Sequence, residues 1–131
     1  MKVPRVGLSI CHSGSYNSGT LTGIAAMEAV KELGGDRLGI CSLPALAHEI
    51  PRQVAIVKNL GHLVVIDGCR NACARKVAEK LSLSVDGYLN LEDELKIGKL
   101  GFFSTLEYST EDVRRVKEAV QARIGQWGEE R

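Results

Sequence analysis

Short apolar, β-rich runs alternate with helix-patterned segments along the whole chain of 131 residues. The clearest run is His62 to Asp67, whose uninterrupted apolar centre is typical of a strand that is buried on both faces. Similar runs lie at Val3 to Ile10, Arg37 to Cys41 and Val85 to Leu91. Because strands separated by helices pair in parallel through right-handed crossovers, this alternation restricts the chain to a small set of α/β folds.

The segments between these runs carry helix signals. Helices are predicted from Asn17 or Ser18 to Leu33, from Pro51 to Leu60, from Asn71 to Leu81, and after a cap at Thr110. We expect a single domain over residues 1–131, a three-layer α/β sandwich whose mainly parallel sheet is flavodoxin/Rossmann-like with strand order 2-1-3-4. The aromatic stretch Gly98 to Ser109 is predicted as a fifth strand, a lid or a partner surface, and residues 125–131 as a frayed tail, from which Trp127 is an exception without an assigned role.

Composition excludes several classes of function. The chain has 17 Lys and Arg against 16 Asp and Glu, so its net charge of +1 provides no bulk attraction to nucleic acid or to an anionic membrane. Few apolar residues follow the basic start, too few for the core of a signal peptide, and no run is long enough to span a membrane. We therefore expect a cytoplasmic protein, in which clustered cysteines indicate metal binding or thiol chemistry.

The four cysteines all follow predicted strands. Cys11 comes directly after the first strand, Cys41 ends the second, Cys69 follows the third, and Cys73 begins the next helix. In a 2-1-3 order these strand ends are neighbours, so we expect the four sulfurs to converge on one crevice. The competing interpretation is that they are buried, inert thiols.

This arrangement suits a metal ion. Zinc takes four tetrahedral ligands, and four thiolates form a closed structural site, while iron is the alternative ion for the same ligands. Cys69 and Cys73 lie four residues apart and can chelate one ion from one helix face. Arg70 and Arg75 are close enough in sequence to offset part of the thiolate charge.

The segments around the cysteines resemble a known family. The matching residues are Cys11-His12-Ser13-Gly14, Cys41, Ile66-Asp67-Gly68-Cys69 and Cys73-Ala74, with a weaker match from Asp93 to Lys99. They resemble the DGC family, which is named for its Asp-Gly-Cys motif. The resemblance implies a small α/β domain with a four-cysteine site that binds zinc. His12 departs from the family's Cys-Ser-Gly pattern and is expected either to compete as a ligand or to cover the site.

Asp67 and Gly68 also have an interpretation from physical chemistry. Gly68 at a strand end permits a sharp turn with positive φ. Asp67 is expected to accept backbone N–H bonds from the turn and the first helical residues, which would hold Cys69 and Cys73 in register. A plain Asx-turn without a chemical role is the equal alternative.

Two thiol-enzyme patterns are also present. Cys69-x5-Arg75 matches the spacing of a cysteine phosphatase or arsenate reductase loop, with Cys69 as nucleophile or redox thiol and Cys73 or Cys11 as its resolving partner. The loop Gly14 to Gly19 resembles a phosphate-binding loop, but Thr20 stands where the lysine is needed, so it predicts a small anion and not ATP.

A third hypothesis is an interaction module without catalysis. It would present the aromatic stretch with Phe102 and Phe103, and a homodimer is one partner that we consider. The basic residues of the last helix are interleaved with acidic ones, so they predict a solvated face and no nucleic-acid surface.

Overall fold

The strands form one four-stranded sheet with only parallel pairs in the computed structural model, which describes residues 2–128. They are β1 (Val6–Ile10), β2 (Leu38–Ile40), β3 (His62–Asp67) and β4 (Gly87–Asn90). Their order across the sheet is β2-β1-β3-β4, which confirms both the predicted strand order and the α/β class.

The part of the chain that the structure describes contains six α-helices. They are α1 (Asn17–Leu33), α2 (Leu43–Ala47), α3 (Pro51–Lys58), α4 (Cys73–Lys80), α5 (Leu91–Leu95) and α6 (Thr110–Ile124). The short helices α2 and α5 were not predicted, because five residues are too few to show a helical period. The cap of α6 is Ser109, one residue before the predicted Thr110, in a reciprocal capping box with Asp112.

Helices cover both faces of the sheet. On one face, Val64 and Ile66 of β3 are buried in a cluster with apolar side chains of α1 and α6. On the other face, Leu63 and Val65 are buried with side chains of α2, α3 and α4. β3 is therefore buried on both faces, as its uninterrupted apolar run predicts, and the result is a three-layer sandwich.

Residues 98–109 form turns and bends without a strand. The buried side chain of Asn17, at the start of α1, holds this segment in place. Its Nδ2 donates to the Gly98 carbonyl at 3.0 Å, and its Oδ1 accepts from the Leu100 N–H at 2.9 Å. Of the alternatives left open by the sequence, the fifth strand is therefore wrong, and the segment lies over the start of α1.

The last described residues, Gly125–Gly128, form a 3-10 helix. Trp127 packs against the α1 and α6 cluster, and its ring stacks on that of His62 with centroids 4.4 Å apart. Residues 125–128 thus differ from the predicted frayed tail, and residues 129–131 lie outside the described part of the chain. No helix within the described residues is long and apolar enough to cross a membrane.

Candidate metal centre

Three of the cysteines meet at the carboxyl edge of the sheet. Cys11 directly follows β1, Cys69 lies just beyond β3, and Cys73 is the first residue of α4. The Cys11 N–H donates to the Ile66 carbonyl at 3.0 Å, which continues the ladder between β1 and β3 to this edge. The three cysteines line one cavity of about 70 Å³, together with Ser13, Tyr16, Ser18, Gly19, Gly68, Asn71 and Lys99.

Cys41 lies apart from this cavity. Its N–H donates to the Leu8 carbonyl at 2.8 Å, so the backbone continues the pairing of β2 with β1 as predicted. Its Sγ, however, lies 3.1 Å from the position that a Cβ on Gly7 would occupy, beside the Leu60 side chain. Burial raises the pKa of this thiol to about 11. The structure therefore brings together three of the four predicted ligands and leaves Cys41 packed against the middle of β1.

No metal-binding arrangement is formed by these side chains as they stand. Within residues 2–128, no group of three or more His, Cys, Asp or Glu side chains is placed so that it could hold a metal ion. The four cysteines are free thiols. The chemistry of the donors still suits a soft ion, because thiolates select zinc and iron over magnesium and calcium. The four-cysteine ligand set and the identity of its ion stay predictions.

The Cys11 thiol is in a mixed environment. Burial raises its pKa above the usual value, and the negative charges of Asp67 and Cys73 act in the same direction. Backbone N–H groups of Ser13 and Gly68 hydrogen-bond the sulfur and oppose this rise, because they favour the thiolate. Without a further positive charge, Cys11 is therefore held as a neutral thiol that already has donors in place for its anion.

Asp67 positions the two cysteines of the β3–α4 loop. Its carboxylate is only 1% exposed and accepts from the N–H groups of Ala74 at 2.8 Å and Arg75 at 3.0 Å. It also accepts from the Tyr88 hydroxyl at 3.0 Å. Asp67 thus caps α4 in place of Ala72, whose φ of 51° puts it in the left-handed region. The hydrogen bonds predicted for Asp67 are present, and its support of a metal ligand stays a prediction.

Gly68 is needed for a reason that differs from the predicted one. Its φ is not positive, because the only glycines with positive φ in the described chain are Gly34 and Gly125. A Cβ on Gly68 would instead lie 2.8 Å from the Ser18 carbonyl carbon and 2.9 Å from the Gly19 nitrogen. The missing side chain therefore lets the β3–α4 loop approach the start of α1, and this contact closes the cavity.

Both predicted arginines form hydrogen bonds to carboxylates. The Arg70 Nε donates to Asp93 at 2.5 Å, and its backbone N–H donates to Glu92 at 2.9 Å. Arg75 donates to Glu79 at 3.0 Å. Its guanidinium lies 5.1 Å from the centre of the Tyr88 ring. The hydrogen bonds of both side chains thus go to carboxylates, and compensation of the thiolate charge by these arginines stays a prediction.

His12 and Gly14 lie outside the cavity lining. The His12 ring packs on α1, where a Cβ on Gly23 would come within 2.0 Å of it, and the His12 backbone N–H donates to the Thr22 hydroxyl at 2.8 Å. The Gly14 carbonyl accepts a hydrogen bond from Thr105. Ser13 lines the cavity, and the roles predicted for His12 as a ligand or cover and for Gly14 in binding an anion stay predictions.

Lys99 and Tyr16 are cavity residues that sequence analysis missed. The Lys99 Nζ lies 4.1 Å from the centre of the Tyr16 ring. The segment that carries Lys99 is held at the cavity by Asn17 and by the hydrogen bond from the Phe103 N–H to the Ser15 carbonyl, 2.7 Å. Local sequence patterns do not predict that Lys99 lies at the cavity, because residues distant in the chain hold its segment there. The one sequence signal for this contact is Asn17, whose buried side chain binds the segment.

An exposed apolar surface lies on the same segment. Phe102 is 71% exposed, Phe103 87% and Leu106 75%. The Phe102 ring contacts the Tyr16 ring with centroids 4.9 Å apart, so this surface adjoins the cavity. Phe102 and Phe103 are therefore not part of the core, whereas Tyr108 of the same stretch packs against it.

Comparison with known families gives one match. The DGC domain model matches residues 8–120, which include all four cysteines and Lys99. The chain therefore belongs to the DGC family. Comparison with curated proteins gave no match, and comparison with solved structures gave none either.

Proposed function

We propose that this member of the DGC family binds one thiophilic metal ion as a metal-binding or accessory protein. Zinc is the proposed ion and iron the alternative. Cys11, Cys69 and Cys73 provide the core of the site, and Cys41 is the fourth ligand predicted from the sequence. The observation that supports this most is the shared cavity, because Cys11 comes from a different loop than Cys69 and Cys73, yet all three line it.

The chemistry of the cavity is consistent with an ion of this kind. A volume of about 70 Å³ corresponds to roughly two water molecules, enough for one ion and a small ligand. Thiols must lose their protons to bind zinc, and the N–H donors on the Cys11 sulfur favour that anion. A bound zinc ion would supply Lewis acidity and would stabilise the loops that carry its ligands. Lys99, the cation of the cavity lining, would offset part of the thiolate charge.

Cys41 decides whether such a site is closed or open. Continuing the pairing of Leu8 with Ile40, Cys41 lies beside Ser9, on the sheet face that also carries Gly7. To become a ligand, its side chain must turn away from Gly7 and leave a buried environment. Three thiolates without Cys41 would leave one position for an external ligand, as catalytic zinc sites do.

The test is a metal and proton count. Protein purified without chelators should contain one equivalent of zinc, and its thiols should react with an aromatic disulfide only after denaturation. Adding zinc to metal-free protein in a weakly buffered solution should release one proton for each thiol that becomes a ligand. Four protons support the predicted set, and three support a site without Cys41. Metal-free protein with four reactive thiols and no zinc uptake contradicts the proposal.

A thiol enzyme that uses Cys69 remains the alternative reaction. Cys73 is exposed and interacts electrostatically with Cys11, so these two thiols are the candidate redox partners. Disulfide reductase or phosphatase turnover by metal-free protein, lost on Cys69→Ser, would favour it. Four cysteines without a disulfide fit a reducing compartment, which supports the cytoplasm as the proposed location.

The exposed apolar surface supports a second candidate, an interaction module that forms a homodimer. Exposed apolar side chains grouped on one segment are typical of association surfaces. Sedimentation should then show a mass that rises with concentration and returns to that of one chain on Phe103→Asp. A single-chain mass at all concentrations excludes the homodimer.

A further inference from the structure

We propose that the cysteine cavity contains a binding subsite for a small tetrahedral oxyanion, of the size and charge of phosphate or sulfate. The subsite is formed by the first turn of α1, the Ser18 hydroxyl and the Lys99 ammonium. It does not depend on the metal function proposed above, because none of its groups is a thiol. Three separate features of the cavity carry this inference.

The first feature is the open first turn of α1, a helix of 17 residues. The Asn17 N–H donates to the Ser104 hydroxyl at 3.1 Å, and the Thr20 N–H donates to the Tyr16 carbonyl at 3.2 Å. Between them, the N–H groups of Ser18 and Gly19 have no hydrogen-bond partner within residues 2–128. A helix start with free N–H groups attracts anions through those donors and through the helix dipole.

Gly68 lies against this helix start. A Cβ at residue 68 would lie 2.9 Å from the Gly19 nitrogen, which is too close for a side chain. Both Gly19 and Gly68 line the cavity. The glycine of the Asp-Gly-Cys motif therefore allows the loop to approach α1, which places the cavity at the helix start.

The second feature is the Ser18 side chain. Ser18 lines the cavity but is only 1% exposed, and its hydroxyl has no hydrogen-bond partner among the described residues. Because this hydroxyl lacks a partner in the protein and its residue lines the cavity, a ligand there can hydrogen-bond with it. An oxyanion oxygen in the cavity would accept the hydrogen bond that the protein itself does not provide for.

The third feature is the charge at the cavity. Lys99 is half-buried, lies over the Tyr16 ring and makes no ion pair with any carboxylate in the described chain. The nearest buried carboxylate, Asp67, does not line the cavity, since it is bound to the N–H groups of α4 and to Tyr88. Lys99 is therefore the fixed charge in the lining that faces a ligand, and it is positive.

The size of the cavity limits the ligand. About 70 Å³ corresponds to roughly two water molecules, which admits one tetrahedral group but no sugar or base. The ligand is therefore either a free oxyanion or the phosphate group of a molecule whose remainder stays outside. A free oxyanion and a phosphate group of a larger molecule would make the same contacts. They differ only in that the second requires the cavity to accept a substituent on the phosphate.

The first test is a titration of metal-free, reduced protein with inorganic phosphate, followed through the backbone amide signals. We expect saturable shifts that are largest at Ser18 and Gly19, and competition by sulfate but not by chloride at matched ionic strength. Shifts that do not saturate, or that are spread over the surface, overturn the proposal. Methyl phosphate distinguishes the sources, because equal affinity supports a phosphate group and much weaker binding supports the free ion.

Variants then test the named groups. Lys99→Met should weaken phosphate binding roughly tenfold or more, and Ser18→Ala should weaken it several-fold, since each removes a hydrogen bond to a charged ligand. The control Lys76→Met removes the same charge from the exposed surface of α4, outside the cavity lining, and should change the affinity less than about twofold. Equal losses from the two lysine variants would indicate a net-charge effect and overturn the site.

Zinc stoichiometry of Ser18→Ala separates this inference from the metal proposal. This variant keeps all four cysteines and Lys99, so it should take up zinc like the wild type. If the wild-type protein takes up zinc but does not bind phosphate, only the proposed anion subsite is contradicted. If it binds phosphate but takes up no zinc, only the proposed metal function is contradicted.

Discussion

Cys11 and Cys41 each follow a strand directly, and β1 and β2 are neighbours in the sheet, yet their thiols lie in different surroundings. The Cys11 sulfur faces a cavity and receives hydrogen bonds from the N–H groups of Ser13 and Gly68. The Cys41 sulfur packs against Gly7 and Leu60, where burial raises its pKa to about 11. Position at a strand end therefore brings a cysteine to the right edge of the sheet but does not direct its sulfur.

The largest expected difference is in zinc affinity. Cys69→Ser should weaken zinc binding at least about a hundredfold, since structural zinc sites provide roughly 10–16 kcal/mol over four ligands. The matched change Cys41→Ser should cost only about tenfold, because the thiol must leave its buried position before it can bind, which offsets part of the gain. Competition with a chromophoric chelator measures both. Equal losses of zinc affinity in the two variants would show that Cys41 is a full ligand. They would contradict the contrast between Cys41 and the cysteines of the cavity.

The second expected difference is in thiol reactivity. At pH 8 the half-buried Cys41, whose pKa is raised to about 11, should be alkylated last and the exposed Cys73 first. A pKa of about 11 instead of 9.0 lowers the thiolate fraction of Cys41 roughly a hundredfold. Alkylation rates by iodoacetamide, followed by mass spectrometry of the peptides, measure the order. Rapid reaction of Cys41 at pH 8 in folded protein would contradict the buried position.

The raised pKa of Cys41 predicts how the free energy of unfolding depends on pH. The folded state favours the neutral Cys41 thiol, so the unfolded state loses this proton first as the pH rises. The contribution of Cys41 is present below pH 9.0 and is lost progressively between pH 9.0 and about 11. Urea unfolding across this range should show a larger loss of stability in the wild type than in Cys41→Ala, because Cys11, whose pKa is also raised, is present in both proteins. A parallel loss in both proteins would assign it to other groups.

The smallest expected effect concerns the support of the loop that carries Cys69 and Cys73. Asp67→Asn should lower the free energy of unfolding by about 2 kcal/mol, because the amide leaves one of the buried donors without an acceptor. The control Asp93→Asn alters an exposed carboxylate paired with Arg70 and should leave both stability and zinc affinity nearly unchanged. Urea unfolding of metal-free protein measures the difference. An Asp67→Asn variant as stable as the control would contradict the capping role of Asp67.

The sequence predicted the sheet order and the edge at which the cysteines lie. It could do so because strand and helix periods are local, and because parallel crossovers leave few topologies. It did not predict the carboxylate partners of Arg70 and Arg75, whose proximity in sequence suggested charge compensation for the thiols. Their partners are Asp93, which lies on another element, and Glu79, one helical turn away. Nearness in sequence does not determine which of several carboxylates a long side chain reaches.

By itself the sequence determined the alternation of strands and helices, and with it the placement of four cysteines at one edge of the sheet. Only the tertiary structure decided which thiols share a cavity and which cation joins them. Cys41 turns towards Gly7 because a glycine and Leu60 leave a pocket for its sulfur in the sheet face. Lys99 reaches the cavity because Asn17 binds a segment far along the chain. Both outcomes depend on contacts between distant residues, which no local pattern records.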